Sequence, residues 1–123
     1  MANFVALAVC CAIVGAALFC SAFFASRGIL PRNRWIGIRL GFTLSSDVAW
    51  RIGHRAALKW GAVAVMDDVC CLTAGLVLLL YDGGPQRAVW GPGAALASNV
   101  LVFVPYLVSA YKATRDVSTI DNH

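Results

Sequence analysis

Charge is what this sequence has least of. Asp, Glu, Lys and Arg make up 13% of its 123 residues, against 60% hydrophobic residues. There is no charged residue from Ala2 to Ser26, and none from Ala88 to Tyr111. Between these stretches, Ala56 to Tyr81 carries only Lys59, Asp67 and Asp68. This scarcity excludes a soluble domain, because so short a chain has too much surface for its volume to hide that much apolar area. Catalytic signatures are missing as well. There is no nucleophile–base pair, phosphate loop or dinucleotide motif, so an enzyme is not expected, and no cofactor is implied. No folded nucleic-acid-reading module is visible, and a nucleic-acid partner is not expected. Internal repeats and low-complexity tracts are absent too.

What is present is three long apolar stretches. A helix needs ~20 apolar residues to cross a hydrocarbon layer of ~30 Å. Each stretch must be helical, since an extended segment in lipid leaves its backbone groups unpaired. The sequence therefore predicts one all-α membrane domain, a three-helix bundle with spans at about 3–26, 57–81 and 89–111. A basic loop, 27–56, with a short interfacial helix joins the first two spans. The first stretch is expected to be retained. Met1 to Phe4 holds no basic residue for a signal-peptide n-region, and the apolar run exceeds the usual h-region. Lipoprotein-type cleavage before Cys20 is disfavoured by the bulky Phe19.

The cations give orientation. Arg27, Arg32, Arg34, Arg39, Arg51, Arg55 and Lys59 lie between the first two spans. Only Arg87 lies between the second and third, and Lys112 and Arg115 follow the third. The positive-inside rule places the basic loop and the C-terminus in the cytoplasm and the N-terminus outside. The formal net charge of +4 is thus mainly a topology signal. The expected location is a bacterial cytoplasmic membrane.

Local signals punctuate this plan. Ala8, Ala12, Ala16 and Cys20 recur every fourth residue, a spacing that lets helices approach closely in lipid. Packing against the other two spans is the favoured use, and a dimer face the alternative. Gly28 and Pro31 mark the end of the first helix. Residues 32–44 mix glycines with Trp35, Ile36, Ile38, Leu40 and Phe42, which predicts an ordered loop. Thr43 or Ser45 is placed to cap the next helix, with Asp47 in its first turn. That helix runs from Ser46 through Arg55 toward the second span, and Gly53 is a candidate break. Along it, Asp47 and Arg51 form an i, i+4 pair, and Trp50 and His54 share a face. Arg55 and Lys59 stack one turn apart, an arrangement that an anion such as a lipid phosphate would relieve. Asp82, Gly83, Gly84, Pro85, Gln86 and Arg87 form the outer connection. Gly91-Pro92-Gly93 starts or interrupts the third helix, and Pro105 is expected to kink it. A frayed polar tail is expected beyond Arg115.

The loop carries a motif. Residues 31–55 read PRNRWIGIRLGFTLSSDVAWRIGHR. In order, Pro31, Asn33, Gly37, Ile38, Arg39, Thr43, Leu44, Trp50, His54 and Arg55 resemble the signature of the SdpI family of small bacterial membrane proteins. The resemblance implies a multi-span protein acting by binding, in peptide-toxin immunity or membrane signalling. Physical chemistry supplies roles beside it. Arg39, Arg51 and Arg55 suit bidentate contacts to carboxylate or phosphate. Trp35 and Trp50 suit headgroup depth, and His54 suits pH sensing or anion binding. Candidate ligand- or partner-binding residues are Asn33, Arg34, Trp35, Gly37, Arg39, Thr43, Asp47, Trp50, His54 and Arg55. The plainer reading of the same residues is a folded cap sealing the helix ends, with Asp47 paired to an arginine.

Within the spans, Asp67 and Asp68 stand out. Each acid near the bilayer centre costs ~2.5–3.5 kcal/mol on insertion scales. The nine Leu and Val residues between Trp60 and Tyr81 return only about 3–5 kcal/mol on that scale. The second span therefore needs its neighbours. Adjacent residues point about 100° apart on a helix, so the two acids do not readily serve one site. Ser98 and Asn99 are candidate partners. Interhelical or subunit adhesion, a proton or ion path, and a shallower placement are the three readings of this pair. Cys10, Cys11, Cys20, Cys70 and Cys71 lie in spans and read as small hydrophobes, since adjacent cysteines lack zinc-site spacing. Expected partners are anionic lipid headgroups, and other membrane subunits or a second copy. Beside binding of the SdpI type, an accessory subunit of a larger membrane complex and a small ion-coupled transporter are the alternatives.

Overall fold

A computed structural model describes residues 1–82 and 84–120. Five helices follow one another: α1 (Ala2–Ser26), α2 (Gly41–Leu44), α3 (Asp47–Asp82), α4 (Pro85–Ala88) and α5 (Trp90–Ile120). Among them α1, α3 and α5 are long and apolar enough to cross a membrane. The three expected spans are therefore present, and the described residues contain no strand.

α1 stops where its sequence says it should. Arg27 ends the helix, and Gly28 takes the left-handed conformation, φ +74°, that a side chain would resist. The amides of Ile29 and Leu30 turn back to the Phe24 carbonyl at 3.0 Å each. α3 is one continuous helix of 36 residues. At ~1.5 Å per residue its length is roughly 54 Å, against ~30 Å of hydrocarbon. Its N-terminal turns therefore project beyond the span 57–81 into the basic segment. Gly53 does not break it. A β-carbon there would sit 3.1 Å from Thr43 Cγ2 and 3.2 Å from Thr114 Cγ2, so glycine makes room for α2 and α5. The side chain that caps α3 is Ser46, whose Oγ accepts the Ala49 amide at 3.0 Å. Thr43 and Ser45, the expected caps, act elsewhere. Thr43 is inside α2, and Ser45 Oγ donates to the Phe42 carbonyl at 2.9 Å.

α3 is the central helix, with α1 and α5 packed on it far more than on each other. Glycines set both approaches. A β-carbon on Gly61 would lie 3.0 Å from the Phe19 Cα of α1. One on Gly91 would lie 2.5 Å from the Cys71 carbonyl and 2.7 Å from the Gly75 Cα. Close backbone contact of this kind is what packs helices in lipid, where dispersion replaces the hydrophobic driving force. Gly91 and Pro92 fall in the first turn of α5, where the missing proline amide is tolerated. α5 then runs through Pro105 as one helix. Lysine and arginine beyond the span do not fray it: α5 stays helical past Arg115 to Ile120. Gly83 of the outer connection and residues 121–123 of the tail lie outside the described residues.

The packing face of α1 corrects one expectation. The buried residues of α1 are Cys11, Gly15, Ala22 and Ala25. Ala12, Ala16 and Cys20 of the four-residue series are exposed. Small size alone does not choose the face; the overlap of Gly15 with Asp68 and of Phe19 with Gly61 does. All five cysteines are free thiols.

Candidate functional site

The loop after α1 folds back over the projecting end of α3 as a cap, and the motif residues build it. Asn33 shapes its first turn. Its Oδ1 accepts the amides of Trp35 and Ile36, both at 2.8 Å, while Nδ2 donates to the Pro31 carbonyl at 2.8 Å. Gly37 follows with φ +99°. Ile38 then turns its amide onto His54 Nε2 at 2.9 Å. Thr43 Oγ1 donates to the Ile38 and Leu40 carbonyls and accepts the Leu40 amide at 3.3 Å. Arg39 ties the loop to itself, Nη1 donating to the Arg34 carbonyl at 2.8 Å.

Beneath this loop, Trp50 and His54 share a face of α3 as their spacing predicts. Their ring centroids are 4.2 Å apart. Both are buried, which moves Trp50 from the expected headgroup position into the cap interior. Its indole N–H donates to the Leu30 carbonyl at 3.0 Å. His54 Nε2 is an acceptor, so its proton sits on Nδ1 and is donated to the Trp50 carbonyl 2.7 Å away. Burial pushes the imidazole below its ordinary pKa, with the Trp50 carbonyl opposing. A neutral imidazole used in both directions is a structural clamp, which leaves it no free nitrogen for an anion.

The charged members point the other way. Asp47 pairs with Arg32 Nε at 3.1 Å, not with Arg51 one turn on. Arg32 was not among the residues singled out from sequence. It also donates to the Leu44 carbonyl at 2.6 Å, and its separation from Asp47 hides the pair from any short-range pattern. Arg51 lies beside Gly28, whose β-carbon would be 3.2 Å from the guanidinium. Arg34, Trp35, Arg39 and Arg55 are exposed, Trp35 to 85%. Among the described residues no carboxylate forms an ion pair with Arg34, Arg39 or Arg55.

Arg34, Trp35 and Arg39 are among the residues that line a groove of about 1060 Å³ formed by α1, α5 and the loop. Leu18, Leu96, Phe103 and Leu107 are among its apolar walls. Tyr106 bridges it, donating to the Leu18 carbonyl at 3.1 Å beside Ser21 Oγ at 3.3 Å. Sequence reasoning missed this groove. The one hint was polar: a tyrosine and a serine inside apolar runs need partners in lipid.

The intramembrane acids separate as their helical angle requires. Asp68 is buried and accepts Asn99 Nδ2 at 2.9 Å, joining α3 to α5. Gly15 of α1 gives its carboxylate room, since a β-carbon there would overlap Oδ2. Among the described residues Asn99 Oδ1 has no donor, and Asn99 is one of the residues lining the groove. Asp67 is half-buried and faces the Cys71 thiol at 3.9 Å. Ser98 takes no part. Among the described residues no group of three metal-ligating side chains forms.

Compared with known proteins, residues 29–109 match the model of the SdpI/YfhL protein family. That interval contains nearly all of the cap and most of both later spans. No curated protein and no solved structure matches the chain.

Proposed function

Since the chain belongs to the SdpI/YfhL protein family of membrane proteins, we propose that it works by binding, through the outward arginines of its cap, and is not an enzyme. The division of labour among the motif residues carries this reading. Asn33, Gly37, Thr43, Trp50 and His54 direct their hydrogen bonds and shape inward and hold the cap rigid. Arg34, Arg39 and Arg55 are left outward, with no acidic partner among the described residues. A folded frame presenting guanidinium groups with no carboxylate bound to them suits recognition of a carboxylate or phosphate on a partner. Peptide-toxin immunity and membrane signalling both fit such a surface. The cap is proposed to face the cytoplasm of a bacterial cell, with the N-terminus outside, a reading supported by the excess of cations between the first two spans.

Replacing Arg39 and Arg55 with Ala tests the reading. The variants are expected to keep the fold and lose the co-purifying partner, toxin protection or signalling output. Undiminished output would reduce the cap to a structural seal. A second reading, an accessory subunit of a larger complex, is favoured by the outward Ala12, Ala16 and Cys20 series of α1. Cross-linking through Cys20 in native membranes tests it, and a lone monomer would count against it.

A further inference from the structure

We propose that the groove between α1 and α5 is a lipid site, holding one acyl chain of an anionic phospholipid whose phosphate is gripped by Arg34 and Arg39. This goes beyond binding of a partner by the cap, and needs no protein partner at all. Three observations meet here. The walls of the groove are mostly apolar and come from α1, α5, the loop and Leu44 of α2, with none from α3; the proposed chain enters between α1 and α5. Arg34 and Arg39 both line the groove and both come from the loop that follows α1. Neither has an ion-pair partner among the described residues, and Asp47 is held by Arg32.

Length decides between occupants. From Leu107 near the cap to Leu96 at the inner end, α5 rises roughly 16 Å at ~1.5 Å per residue. One leaflet of a ~30 Å hydrocarbon core is about 15 Å deep. The groove thus runs from headgroup level to the level of Asp68 and Asn99, which is the reach of one acyl chain. Trp35, exposed and also lining the groove, is placed at the same level as the phosphate. A peptide would need its backbone amides satisfied along this whole length. On α1 and α5 the polar side chains of the walls are Ser21, Tyr106 and Asn99, and the first two are already hydrogen-bonded.

The full chain, reconstituted in nanodiscs of equal parts phosphatidylglycerol and phosphatidylcholine, then extracted gently and weighed by native mass spectrometry, reads the occupant directly. Two interfacial arginines are expected to favour phosphatidylglycerol by roughly tenfold to thirtyfold. Arg34→Gln with Arg39→Gln is expected to erase the preference. Arg34→Lys with Arg39→Lys keeps most of it, and Lys112→Gln, away from the groove, leaves it unchanged. Ala17→Trp, on an exposed wall position, is expected to expel the bound lipid of either kind. Circular dichroism of each variant checks that the helices persist. An unchanged preference in the double Gln variant, unchanged lipid in Ala17→Trp, or a peptide in place of lipid would each overturn the proposal. A double Gln variant that loses its lipid preference yet keeps its protein partner fails the functional reading alone. One that keeps its lipid preference and loses the partner fails the lipid site alone.

Discussion

Replacing Gly37 with Ala tests the cap at the point where its backbone and its packing are both committed. Two effects add. The backbone at φ +99° disfavours an L-residue by roughly 1–2 kcal/mol. The new β-carbon would lie 2.7 Å from His54 Nε2 and 3.0 Å from Trp50 Cη2, so the imidazole must move. Nε2 then releases the Ile38 amide, and a buried amide without an acceptor costs about 1–3 kcal/mol. The sum is roughly 2–5 kcal/mol of local stability. Hydrogen–deuterium exchange over residues 30–46, in detergent or nanodiscs, reads this as cap opening. At 1.4 kcal/mol per tenfold, exchange at Ile38 should accelerate by about 30-fold or more. Gly41→Ala is the control: nothing lies within 4 Å of its β-carbon position, and its effect should stay within about 0.5 kcal/mol. Repeating Gly37→Ala in a His54→Ala background removes the imidazole clash and should leave the backbone strain and the Trp50 contact at 3.0 Å, a smaller cost. Equal exchange in Gly37→Ala and Gly41→Ala would refute the reasoning, and so would an undiminished cost in the double variant.

Other outcomes follow from the same structure. Burial lowers the His54 pKa below its unfolded value, so the unfolded cap binds more protons in acid. Its contribution is full above about pH 6.5 and lost as pH falls below that value; exchange at Ile38, corrected for intrinsic rate, should rise in acid and not in alkali. Gly15→Ala should force the Asp68 carboxylate off its site and lower the unfolding temperature in detergent, whereas Ala16→Leu on the exposed side should not. Asp68→Leu should lower it too, by stranding the Asn99 amide, at about 1–3 kcal/mol. Asp47→Ala should change stability by less than ~1 kcal/mol, since its pair with Arg32 is largely solvent-exposed.

The three spans, their loop and the family motif are legible in the residues themselves. A run of about twenty uncharged apolar residues has one low-energy form in lipid, because every amide must bond within its own segment. The i, i+4 pairing of Trp50 with His54 is equally local, since helix geometry alone sets it. So is the divergence of Asp67 from Asp68. Asn99 as the partner of Asp68 was within reach because a polar residue in a span has few places to bond.

What the sequence could not decide is every relation between segments distant along the chain. Asp47 has Arg51 one helical turn away in sequence, and only the fold of the loop brings Arg32 to it instead. Glycine and alanine stripes occur on several faces of α1, and the one used is fixed by the Asp68 carboxylate and Phe19 meeting α3. Trp50 reads as an interfacial residue until a loop folds over it and supplies the Leu30 carbonyl. The groove exists because α1 and α5 both prefer α3 to each other, and that preference arises from backbone approach at Gly61, Gly75 and Gly91. Local geometry depends on neighbours a turn away, which the chain order states outright. Packing depends on which surfaces fit at van der Waals distance, and that is settled only when all three helices are in place.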